Sequence, residues 1–239
     1  MTSLTGTVSG HDTVGGLVGQ NSGSGSVITR SFTRGSVSAD NTVGGLVGLN
    51  TTSADINNSY SRSSVTAQNS TTADAGGLVG SNSASSTVHN SYSTGLVSSN
   101  SGASGTTGGL VGVNDNNNHV VNSFWDYQTS GRMTSAGGTA LPTIQLKAYP
   151  TFTGVAWDIS KFYGQNQIWR IYEGNTYQLL HWFLIPLSGP FTVDNVTKSY
   201  AGQAFSGGSS DLPSSYYGDV FFGGTAQGAK NVGSYGITL

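Results

Sequence analysis

Gly44-Gly45-Leu46-Val47-Gly48, followed two residues later by Asn50, decides the fold because the chain repeats it. The pentapeptide begins again at Gly15, Gly76 and Gly108, and each copy carries the same downstream residue, Asn21, Asn82 or Asn114. Successive copies lie 29 and then 32 residues apart. A fixed period of this size describes one small structural unit stacked on copies of itself, not a cleft assembled from distant segments.

Two more patches complete each unit. One is a branched aliphatic followed by a polar residue, Ser and an aromatic, seen as Ile28 with Arg30-Ser31-Phe32, Ile56 with Asn58-Ser59-Tyr60, Val88 with Asn90-Ser91-Tyr92, and Val120 with Asn122-Ser123-Phe124. The other is Gly-x-Val ending at Val8, Val37 and Val97, with Ser63 in place of Gly before Val65. Three short β-prone patches separated by Gly, Ser, Asn and Thr predict three strands and three corners per unit. The spacing from Val8 to Gly15 and from Val37 to Gly44 is 7 residues, but from Val65 to Gly76 and from Val97 to Gly108 it is 11. Strands must keep register with their neighbours while a corner can extend into water, so the insertions mark one corner of a coil.

The expected fold is therefore all-β, a right-handed parallel β-helix of about four coils over residues 1–125. An aromatic-rich C-terminal cap is expected over 126–187, and a small β-rich second module over 190–239. At about 4.8 Å per coil, the stack is a rod on the order of 20 Å long. If the pentapeptide is extended, Leu17, Gly19 and Asn21 share one face, predicted to be the interior. Leu17, Leu46, Leu78 and Leu110 would form an aliphatic ladder, and Phe32, Tyr60, Tyr92 and Phe124 an aromatic one. Asn21, Asn50, Asn82 and Asn114 would form an amide ladder, or else occupy corners in the left-handed conformation.

Composition changes after the last repeat. Residues 1–123 contain only Phe32, Tyr60 and Tyr92 as aromatics, whereas all four Trp lie beyond them. An open coil end exposes strand edges, so the aromatic tract is expected to cover it, with Trp125, Tyr149, Phe152, Trp157, Phe162, Trp169, Tyr172, Tyr177 and Trp182 as its core. The alternative is a sugar-stacking platform of Trp157 and Trp169 beside Asp158.

Charged residues make up 8% of the chain and the formal net charge is -2. The repeats carry only Arg30, Arg34 and Arg62 as cations, which gives nucleic-acid phosphates nothing to bind. The best apolar run, Leu179 to Leu187, is too short to span a bilayer. The absence of Cys excludes disulfides and thiolate chemistry. Asp12, Asp40, Asp55, Asp74 and Asp115 occupy different places within their units, as do His11, His89, His119 and His181, so no acid-base pair or metal set is expected. No cofactor is implied, and catalysis is not expected.

The units resemble the GLUG motif, most closely over Gly76 to Val97. The tract Ser123-Phe124-Trp125-Asp126 through Gly137-Gly138, Leu141-Pro142-Thr143, Trp157-Asp158 and Ile168-Trp169 is similar to the aromatic segment that closes such arrays. Lys198-Ser199-Tyr200-Ala201-Gly202 and Gly228 to Tyr235 resemble the signatures of the small MBG or YDG modules, with Ala201 in place of the usual Asp. The resemblance implies a part of a longer polypeptide, namely a secreted or surface-displayed bacterial exoprotein similar to filamentous haemagglutinin-like adhesins. A spacer in a secreted peptidase is the other setting it implies. The expected partner is a host or bacterial surface glycan or protein. Its contact surface is expected at the inserted corners, at Gln68, Asn69, Asp74, Asn100 and Ser101.

Overall fold

The computed structural model describes residues 3–68, 73–99, 106–116, 119–155, 157–161 and 166–184. The chain divides into two units, Met1–Phe183 and Leu184–Leu239. The second, including the MBG-like signatures, lies outside the described residues apart from Leu184.

The first unit is a parallel β-solenoid of four turns. Coil two shows its plan. Thr42–Gly44, Val47–Thr51, Asp55–Asn57 and the pair Tyr60–Ser61 and Ser64–Ala67 each belong to a different wall. Three walls are four-stranded sheets, and the fourth is an eight-stranded sheet. Every wall pairs in register with like positions in adjacent coils: Gly44 lies beside Gly15 and Gly76, and Tyr60 beside Phe32 and Tyr92.

The coil has four walls, not the three read from the patches, because two of those patches bend around corners. The pentapeptide is the first. Its strand ends at Gly44 and resumes at Val47, so Gly45 and Leu46 form the turn. Leu46 O accepts hydrogen bonds from both Leu17 N (2.9 Å) and Val18 N (3.2 Å) of the preceding coil. This bend breaks the strict alternation, and Leu46 and Val47 are both fully buried. Glycine is needed here because the coils touch through their backbones. A Cβ on Gly44 would lie 2.6 Å from Gly80 N, and one on Gly45 would run into Gly77 O. Gly45→Ala is expected to cost about 1–3 kcal/mol through overpacking, read as a lower denaturant midpoint. A loss below about 0.5 kcal/mol would show that the coils can separate locally.

The second corner lies in the Asn-Ser-aromatic patch. Arg30, Asn58, Asn90 and Asn122 stand at φ 49°, 48°, 46° and 48°, the left-handed region that Asn tolerates best after Gly. The Ser that follows fixes the turn. Ser59 Oγ donates to Asn57 O (2.9 Å) and accepts from Ser31 N of the preceding coil (3.2 Å), and Ser91 and Ser123 repeat the pattern. The left-handed corner thus belongs to these residues, and not to Asn21, Asn50, Asn82 and Asn114.

Inside the coils lie two apolar columns. One holds Leu46, Val47, Ile56 and their equivalents down to Val120, closed by Trp125; the other holds Val37, Ala39, Val43, Val65, Ala67, Ala75 and Val97. Between them Thr33 Oγ1 donates to Gly45 O and Ser93 Oγ to Gly109 O, each at 2.6 Å.

The C-terminal end is closed by a shortened fifth turn. Thr139–Leu141 pairs in parallel with Phe124–Asp126. Thr134 O and Ala136 N bond the backbone of Gly109 and Val111, while Ser135 Oγ accepts from Leu110 N and Val111 N. Trp125 belongs to this plug, its Nε1 donating to Arg132 O (2.9 Å), and not to the aromatic cluster with which its sequence position groups it.

The remaining aromatic tract does something different from capping. The described residues between 143 and 183, with two short helices at Thr143–Leu146 and Tyr149–Thr153 and a three-stranded sheet, lie along the flank of the solenoid. They cover the aromatic column from Phe124, against Phe152 and Trp157, to Phe32, against Phe183. Of the residues expected in their core, Phe162 lies outside the described residues. Trp182 is 45% exposed, under the guanidinium of Arg30 at 4.4 Å.

Candidate functional site

The repeated residues assemble into three continuous columns. Asn21 Nδ2 donates to Asn50 Oδ1 (2.8 Å), Asn50 Nδ2 to Asn82 Oδ1 (2.8 Å), and Asn82 Nδ2 to Asn114 Oδ1 (2.9 Å). The other amide hydrogen of each goes to backbone carbonyls, such as Ser86 O for Asn82 (2.8 Å). Asn114 ends the row by donating to Asn116 O (2.7 Å). All four dipoles therefore point the same way, and each polarises the next. Alongside run Leu17, Leu46, Leu78 and Leu110, joined by backbone bonds of 2.9, 2.8 and 2.8 Å between successive coils.

The aromatic column faces outward, since the neighbouring Thr33 and Ser93 point in. Phe32, Tyr60 and Tyr92 stack at 4.9 Å per step with ring planes within 4° and 9°. Phe124 continues their backbone register, but its ring turns edge-on to Phe152 at 5.6 Å. Trp169 lies 6.0 Å from Tyr60 and 5.9 Å from Tyr92, and its Nε1 donates to Asn58 Oδ1 (3.2 Å). Trp157 packs on Trp169 at 4.9 Å. Both Trp are buried, at 4% and 1% exposure, and Asp158 Oδ2 accepts from Ile168 N (3.1 Å). A sugar-stacking platform needs open ring faces, so these rings are packing and not a glycan groove.

Two polar groups tie the flank down. Tyr92 OH donates to Gln178 O (2.5 Å) and accepts from Arg62 Nη2 (3.3 Å), with the Arg62 guanidinium over the Tyr60 ring. The buried Asp126 carboxylate accepts from Gln128 N, Thr129 N, Thr143 Oγ1 and Tyr177 OH, which binds the plug to the flank. Burial pushes the phenols of Tyr60 and Tyr92 above their usual range. Burial and then the Asp126 hydrogen bond push Tyr177 up to about 12. A phenol held protonated only in the folded state stabilises fully below its unfolded pKa near 10. That contribution is lost as pH rises from about 10 toward the folded values. Stability should therefore fall steeply above pH 10, and the fall should shrink in Tyr177→Phe; an unchanged alkaline limb in that variant would contradict this.

The residues expected to contact a partner are placed unevenly. The inserted corners join Ala67 to Asp74 and Ser99 to Thr107, whereas coil one crosses the same corner between Ala39 and Thr42. Gln68 is exposed, while Asn69, Asn100 and Ser101 lie outside the described residues. Asp74 opens a strand paired with Thr42, and its Oδ1 accepts from Thr106 Oγ1 (2.7 Å).

Asp12 and Asp40 meet at one corner through His11. Asp12 binds His11 (2.9 Å) and Asn41 (2.7 Å), and Asp40 lies 3.5 Å from His11. Asp55 is held by Asn57 and Thr87 on another wall, and Asp115 lies 3.4 Å from His119. Among the described residues no group of three or more His, Asp or Glu side chains is placed to hold a metal ion. No helix among them is long and apolar enough to cross a membrane.

Residues 39–66, one full coil, match the GLUG motif. No curated protein and no solved structure matches the chain.

Proposed function

We propose that this chain is a non-catalytic structural and adhesive segment of a large secreted or surface-displayed bacterial protein. The observation that supports this reading most is the location of variation in the stack. The Leu and Asn columns and the backbone register of the aromatic positions are uninterrupted, while the extra length in coils two and three falls at one corner. A stack that keeps every wall in register and enlarges one edge is suited to displaying loops. The GLUG match over one coil is consistent with such a repeat module.

The expected contact surface lies at the inserted corners, with Gln68, Asn69, Asp74, Asn100 and Ser101, whose inserted segments are residues 68–73 and 100–105. Replacing each of these segments with the Asp-Asn pair that crosses the corner in coil one should leave the melting temperature within a few degrees. Binding to cells or to a glycan array should fall at least several-fold. Unchanged binding would reject the loops as the contact surface. If the intact chain shows no saturable binding to either probe, it is a spacer that displays other domains.

A further inference from the structure

The outward row next to the aromatic column gathers positive charge in a charge-poor chain. Arg34, Arg62, Thr94 and Asp126 each stand two residues beyond a member of that column, so they occupy matching places in successive coils. Arg34 and Arg62 are side by side on adjacent strands, bracketed by the register pairs Thr33–Ser61 and Ser36–Ser64 and about 4.8 Å apart between backbones. Like charges placed opposite one another in a sheet repel. A third cation joins them from the flank: the Lys147 ammonium and the Arg62 guanidinium each lie 5.5 Å from the centre of the Tyr177 ring. Among the described residues none of the three is paired with a carboxylate, and the buried Arg62 Nε has no acceptor. Asp126 cannot neutralise them, because its Oδ1 already accepts from Gln128 N and Thr129 N and its Oδ2 from Thr143 Oγ1 and Tyr177 OH. Glu173 on the flank is taken by Lys161 at 3.0 Å.

We propose that Arg34, Arg62 and Lys147 form a binding site for the oxyanion of an acidic saccharide, a carboxylate or sulfate group. Guanidinium forks match the planar spacing of such oxygens, and an anion between the two arginines turns their repulsion into attraction. The next outward row supplies what the rest of a sugar needs. Ser36 and Ser64 are exposed hydroxyls, and the row ends at Leu96, 52% exposed, where the apolar face of a sugar ring can rest. A nucleic acid would need cations repeated along its backbone, whereas here one charged spot is followed by neutral hydroxyls. An acidic peptide would find no free strand edge, since the strands carrying Arg34 and Ser64 are paired on both sides. The site is distinct from the inserted corners: five residues, about 16 Å of extended strand, separate Arg34 from Ala39, where the corner begins.

The test is calorimetric titration of the whole chain with an oligogalacturonate, a sulfated galactan oligomer and a neutral galactan oligomer of equal length at physiological ionic strength. Saturable binding of an acidic oligomer and none of the neutral one is expected, and the tighter acidic oligomer identifies the oxyanion as carboxylate or sulfate. Arg34→Gln combined with Lys147→Gln should weaken that binding at least tenfold while the melting temperature stays within a few degrees, because neither side chain is buried. Arg62→Gln serves as a second variant, read against its own melting curve because Arg62 also touches Tyr92. No binding of either acidic oligomer, or equal affinity in the double variant, would overturn the proposal. Loss of this binding on exchange of the corner loops, with the double variant unaffected, would place the saccharide on the loops and overturn it as well. Tighter binding of hexaglutamate or of a single-stranded oligonucleotide would overturn the saccharide assignment.

Discussion

Tyr92→Ala is expected to destabilise the solenoid by about 3–5 kcal/mol, the range for removing a fully buried aromatic ring. Tyr92 is completely buried between Tyr60 and the flank residues Trp169 and Tyr177. Its loss removes the last ring of the stack and leaves Gln178 O without its hydroxyl donor. The flank should loosen first, so the fluorescence of the buried Trp157 and Trp169 should shift to longer wavelength before the coils unfold. Tyr92→Phe keeps the ring and loses only the hydroxyl, for about 1–2 kcal/mol. Equal losses in the two variants would mean that the hydroxyl contacts, and not the ring, hold the flank.

Asn82→Ala is expected to cost about 2–6 kcal/mol. It orphans Asn50 Nδ2 on one side and Asn114 Oδ1 on the other, each at about 1–3 kcal/mol when buried without a partner. Asn50 is fully buried, so water cannot take the missing place without opening the coil. The same change at Asn21 ends the row instead of cutting it, and should cost less. A loss below about 1 kcal/mol at Asn82, measured by denaturant unfolding, would show that the amides add little to the stack.

The coil register was legible because it depends on spacing alone. Four pentapeptides, four Asn and four aromatics at matching offsets place Asn50 over Asn82 and Tyr60 over Tyr92, and the structure pairs them in that way. The corners were harder to read. Gly-Gly-Leu-Val-Gly resembles a strand, but its double Gly is required by backbone contact with the next coil, which is a three-dimensional condition. Extended parity across that bend therefore gave one buried face where both Leu46 and Val47 are buried. In the second patch the left-handed residue is Arg30 in one coil and Asn in the other three, so no glycine marks the turn. The same hidden corner concealed that the aromatics face outward. Without that knowledge the Trp-rich tract reads as an end cap, whereas its described residues between 143 and 183 cover a flank and, among the described residues, the stretch around Trp125 to Leu141 closes the end. The inserted loops were legible as insertions, but length alone carries no ligand chemistry.

The central claim, that like positions lie directly over one another in successive coils, can be measured by disulfide trapping because the chain has no Cys of its own. Ser36 and Ser64 are exposed register partners on adjacent coils, about 4.8 Å apart between strands. That separation lies within the reach of a disulfide, whereas the diagonal pair Ser36 and Thr66 is about 8 Å apart and lies beyond it. Mild oxidation of the double variant Ser36→Cys with Ser64→Cys should give rapid and nearly complete intramolecular crosslinking, and Ser36→Cys with Thr66→Cys should give little. Equal crosslinking in the two variants, or none in the first, would contradict the stacked-coil account.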